Sequence, residues 1–132
     1  MEKQAEIRGR IDEQQLAKKN ANIEKEKRKI SRLFAKMDKN KRDVVEKLIE
    51  NVSFMSITLD ELKEDINIYG VKETYMNGNN QFGFKESIES KTYNAMLKNY
   101  MNAIKQLIDL LPDEEKKNAG EDLLKFIASG RK

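Results

Sequence analysis

The sequence predicts a mostly α-helical protein: a long antiparallel helical hairpin, a small β-hairpin insert at its tip, and a short C-terminal helix. Three observations carry this. Two long segments repeat apolar residues at threes and fours, the signature of one buried helical face. Between them lies "YMNGNNQFGF" (75–84), rich in asparagine, glycine and aromatics. Charged residues make up 37% of the 132, so one copy has little apolar material to bury, and a homo-oligomer is expected.

The elements follow in chain order. Residues 1 to about 22 are polar, with a thin stripe of Ile7, Ile11 and Leu16 broken by Gly9. A frayed helix or disorder is expected there. Ile23–Met37 reads as a better helix, with Ile23, Ile30, Phe34 and Met37 on one face. Asp38–Arg42 reads as a break, with Asp38 a candidate N-cap. From Val44 a strong stripe runs through Val45, Leu48, Ile49, Val52, Met55, Leu59, Leu62 and Ile66. It predicts one long helix, or two with a restart near Thr58, whose "TLDE" is a capping-box pattern. Gly70 stands where a C-terminal glycine belongs.

In the insert, Asn77-Gly78 is a strong hairpin signal. A four-residue loop over 77–80 sets Tyr75 opposite Phe82 and Glu73 opposite Phe84. Val71, Glu73, Tyr75, Phe82 and Phe84 then share one largely aromatic face. A lone two-stranded hairpin is marginal in water, so it must pack on its own helices or on a neighbouring copy. Tyr69, Tyr75, Phe82, Phe84 and Tyr93 are the candidate interface residues. The second stripe is Tyr93, Met96, Leu97, Tyr100, Ile104, Leu107, Ile108 and Leu111, capped by Ser87 or Ser90 and stopped by Pro112. In the tail, Leu123, Leu124, Phe126 and Ile127 mark a last short helix. The chain divides into a basic segment (1–42), a helical hairpin core (43–112, insert 71–86) and a tail (113–132).

Composition narrows the chemistry. Cysteine and histidine are absent, which removes disulfides, thiol nucleophiles and imidazole bases. The carboxylates Asp60, Glu61, Glu64 and Asp65 read as a solvated helix face, and no serine has an evident activating partner. No metal or cofactor is expected, and the chain reads as a non-enzyme. With no apolar run long enough for a bilayer and no signal peptide, a soluble intracellular protein is expected.

Charge is unevenly placed. Residues 1–42 hold 14 Lys+Arg against 7 Asp+Glu, whereas 43–132 hold 12 against 16. Lys25, Lys27, Arg28, Lys29, Arg32, Lys36, Lys39, Lys41 and Arg42 cluster together. They are candidates for phosphate contact with a nucleic acid, salt-sensitive and without base readout. A solvated helix is the plainer alternative.

The order of "FMSITLDELKEDI", the "NGNNQFG" insert, "YNAMLKNY" and "IKQLIDLLP" resembles phage terminase small subunits over about residues 43–112. That resemblance implies a non-catalytic DNA-packaging protein in the cytoplasm of an infected bacterial host. Its implied partners are viral double-stranded DNA, further copies of itself in a ring, and a large subunit bearing ATPase and nuclease. Glu2–Met37 lacks the pair of short apolar helices of a helix-turn-helix. In this picture the basic segments project to hold DNA, and the acidic body is free to meet the large subunit. A helical protein–protein adaptor with a solubilising basic tail is the rival reading.

Overall fold

The computed structural model describes residues 11–111, 116–118, 121, 124, 125 and 128. Three long helices and one β-hairpin make up the main part: α1 (Glu13–Arg32), α2 (Lys39–Tyr69), β1 (Lys72–Asn77), β2 (Gln81–Glu86) and α3 (Ile88–Asp109). The described residues between 116 and 128 are helical, a short C-terminal helix. Leu123, Phe126 and Ile127 lie outside the described residues, as do Ile7, Gly9 and Pro112.

Helix α1 begins well before the strong apolar pattern does. Asp12 caps it: the carboxylate accepts from the Gln15 N–H at 2.7 Å, and the Gln15 side chain accepts from the Asp12 N–H. That reciprocal box satisfies two donors the first turn leaves free. Glu13 in the first turn and Lys29 and Arg32 in the last suit the helix dipole. From Glu13 onward the expected fraying gives way to regular helix. α1 stops at Arg32, and a tight turn built on i→i−3 bonds carries the chain through 33–37. Asp38 sits at the α2 N-cap position, but its side chain makes no capping bond.

α2 is one uninterrupted helix, with Thr58 inside it. Gly70 ends it at φ +83, and its N–H donates to the Ile66 carbonyl at 2.7 Å. Positive φ is where glycine escapes the clash a Cβ would make. Ser87 caps α3 by accepting from the Ser90 N–H at 3.1 Å. α3 ends at Asp109, three residues before Pro112.

α2 is the spine: α1 and α3 both pack on it. The α2–α3 pair is the long helical hairpin expected from the two stripes. Lys19 meets Glu61 and Lys27 meets Glu50, so α1 runs antiparallel to α2. The core joins Ile30, Phe34 and Met37 to Val45, Ile49, Val52 and Leu59 of α2 and to Tyr100, Ala103, Ile104 and Leu107 of α3, with Leu111 just beyond it. The described part of the basic segment, residues 11–42, is thus a third layer of the body and does not project from it as expected.

The strands pair antiparallel with Tyr75 opposite Gly83, Thr74 opposite Phe84 and Met76 opposite Phe82. This differs by one residue from the expected register. Asn77 pairs with Gln81, so a three-residue loop, 78–80, stands where a four-residue loop was expected; within it Gly78 takes positive φ, at +75, and Asn77 does not, as a type I′ turn would require. A one-residue slip moves every side chain of one strand to the other face. Phe82 and Phe84 therefore share a face with Thr74 and Met76, while Tyr75 lies on the opposite face over Gly83.

Candidate functional site: a cationic helix face and an apolar hairpin

The cationic candidates divide by direction. Lys25, Arg28 and Arg32 are exposed and follow three- and four-residue spacing, so they line one edge of α1. Lys18, also exposed and seven residues before Lys25, extends that edge. The stripe from Lys18 to Arg32 runs about 21 Å at 1.5 Å per residue. Positions 18, 25, 28 and 32 on it are all cations, and Glu24, exposed four residues before Arg28, borders it. It lies away from Glu26 and Ile30, which face the core.

The remaining cations are placed otherwise. Lys27 is half-buried and lies 3.5 Å from Glu50 of α2. Lys29 is half-buried. Lys36 is exposed in the turn, and Lys39, Lys41 and Arg42 are exposed in the first turn of α2. Lys19, unmarked in the sequence, is turned inward: it bridges Glu61 at 2.7 Å and lies 5.4 Å from the Phe54 ring centroid.

Between α1 and α2 lies a buried polar contact. Glu26 is 3% exposed, and its carboxylate accepts from the Ser56 hydroxyl. Ser53 Oγ and Thr58 Oγ1 are buried without a hydrogen-bond partner. Nothing in the local pattern distinguishes Glu26 from the exposed Glu24. Only its place in the 23–26–30 row marks it as inward-facing.

The aromatic candidates also divide. Phe82 is 76% exposed, Phe84 72% and Met76 63%, all on one face of the β-hairpin. Tyr69 is exposed at the end of α2. Tyr75 is more covered, its ring seated on Gly83, where a Cβ would come within 2.7 Å of it. Tyr93 is half-buried and packs against the helical core. So Tyr75 and Tyr93 do not join Phe82 and Phe84 in one surface. Val71 is exposed at the hairpin's base, as are Ile68 and Ile88, which were not singled out in the sequence.

The hairpin is tied to the body at its base. Ser87 N–H donates to the Val71 carbonyl at 2.8 Å, and Ser90 Oγ donates to Glu86 at 3.0 Å. Its own charges pair across the strands: Lys85 lies 3.3 Å from Glu73, and Lys72 stands 5.9 Å from the Phe84 ring centroid.

Among the described residues no three of His, Cys, Asp and Glu are grouped to hold a metal, and no helix is long and apolar enough to cross a membrane. Comparison with protein-family models, curated proteins and solved structures gives no match.

Proposed function

We propose that the chain is a small terminase subunit. In this reading it is a non-catalytic protein that assembles with copies of itself, as a ring, in the cytoplasm of an infected bacterial host. It holds viral double-stranded DNA and regulates a large subunit that carries the motor and nuclease. The observation that carries the DNA part is the α1 edge bearing Lys18, Lys25, Arg28 and Arg32, left open after Lys19 and Lys27 have turned to acids on α2. Exposed cations can replace condensed counterions along a duplex, the main source of sequence-independent affinity. The resemblance over residues 43–112 supports the packaging role, and the exposed hairpin supports self-association.

α1 reads phosphate, not bases. It is one continuous helix with no short helix–turn–helix partner among the described residues. The test uses the full chain, because residues 1–42 contain Ile30, Phe34 and Met37 of the core and their removal would unfold the body. Lys25→Glu, Arg28→Glu and Arg32→Glu are combined, and duplex binding is followed by fluorescence anisotropy beside mass by light scattering. Loss of DNA binding with unchanged mass is expected. Undiminished DNA binding refutes the assignment, and a wild-type protein that binds no DNA leaves the adaptor reading in its place.

A further inference from the structure

We infer that the Phe82–Phe84 face of the β-hairpin is a docking surface for a second copy of this chain, which receives it in the groove between α2 and α3. The inference deepens the self-association of the proposed function and rests on it for context. The physical case is made by the hairpin alone.

A two-stranded hairpin does not persist in water without a hydrophobic face to pack. Here the face exists and the described residues leave it largely open: Met76, Phe82 and Phe84 each keep more than three-fifths of their surface exposed, with only Lys72 standing over the Phe84 ring. These three side chains offer an apolar area on the order of 400 Å², taking ~200 Å² for a whole aromatic side chain. That is about half of the ~800 Å² each partner contributes to a standard protein interface. A contiguous apolar patch of several hundred Å² on one chain marks a contact surface.

Charge selects the occupant. Lys72 is paired in register with Glu86, and Glu73 with Lys85, so each cation of the ribbon stands across from an acid. A ribbon of balanced charge has no net attraction for a phosphate backbone or an anionic bilayer. Its partner is therefore an apolar protein surface. The same chain carries one. An open groove is lined by Met55 of α2 and by Lys91, Thr92, Ala95, Met96 and Asn99 of α3, its apolar part being the two methionines and Ala95. Leu97 and Met101 add exposed apolar surface farther along α3. Methionine is unbranched and fills irregular gaps, which suits a site that must accept two phenyl rings. Each copy thus supplies a knob and a groove at different places, and a head-to-tail contact of that kind closes a ring when its rotation permits.

The chain has no cysteine, so one introduced thiol is a unique label. Phe82→Cys carrying a benzophenone is irradiated in the purified full chain, and the adduct is mapped by mass spectrometry. The expected adduct joins two chains and falls on Met55 or on 91–99. Adducts confined to a single chain, or to a second chain outside that groove, overturn the inference. Independently, Phe82→Ser with Phe84→Ser, which removes no core residue, is expected to lower the mass at micromolar concentration to that of a monomer with unchanged helicity. An unchanged mass overturns the inference. DNA binding measured on the same variant separates the two readings. A variant that stays assembled and still binds DNA refutes this interface alone, whereas a wild-type chain that neither assembles nor binds DNA refutes both.

Discussion

Replacing Arg28 and Arg32 by alanine is expected to flatten the salt dependence of duplex binding by a calculable amount. Four cations, Lys18, Lys25, Arg28 and Arg32, line the open edge of α1. If each contacts one phosphate, log K falls with log salt at a slope of about −0.9 per contact, hence about −3.6 per engaged copy. From 50 to 200 mM salt that is a loss of about two decades in affinity. The double variant keeps two contacts, so its slope is about −1.8 and its loss about one decade per copy. Both arginines are exposed and outside the core, so stability is expected to change by less than about 0.5 kcal/mol. Anisotropy titrations of a short labelled duplex at four or five salt concentrations measure the slope directly. Lys27→Ala is the internal control. Its ammonium already faces Glu50, so the slope should move by much less than one arginine's share. A slope that is the same in wild type and double variant refutes the placement of DNA on this edge, whatever the absolute affinity.

Other perturbations read the fold. Leu107 is 0% exposed at the centre of the helical core, and Leu107→Ala should cost about 2–5 kcal/mol in urea unfolding. Gly70→Ala places a Cβ at φ +83 and should cost about 1 kcal/mol, seen as a lower unfolding midpoint. Ser56→Ala removes a donor to the buried Glu26 carboxylate and should cost about 1–3 kcal/mol, and less in a Glu26→Gln background, where no buried charge loses that donor. A double-mutant cycle with coupling below about 0.3 kcal/mol would show that the pair does not hold α1 on α2.

Much of the helical hairpin was legible because periodicity reports burial directly. Val45, Ile49, Val52, Leu59, Ile104 and Leu107 were all in the stripes and all are buried. Gly70 and Ser87 were legible because only particular residues suit those backbone positions. The start of α1 could have been read from Asp12 and Gln15, a capping-box pair that lacks the usual serine or threonine. Its docking could not. A helix this rich in lysine and glutamate hides its inward row, and that row includes a carboxylate whose partner, Ser56, lies thirty residues away. The hairpin register was misread for a different reason. Alternation fixes register only when one face is buried against the body, and here neither strand is. The choice between a three- and a four-residue loop then rests on the φ of Asn77, which the Asn-Gly pair alone does not determine.

The 2.8 Å bond from Ser87 to Val71 spans the neck of the insert. Below that neck, the end of α2 and the start of α3 already stand side by side, so the chain could pass from one to the other without residues 72–86 and keep its helices in place. The ribbon is in this sense a detachable fitting. Sequence change in it can alter what one copy grips while the beam that carries it stays the same.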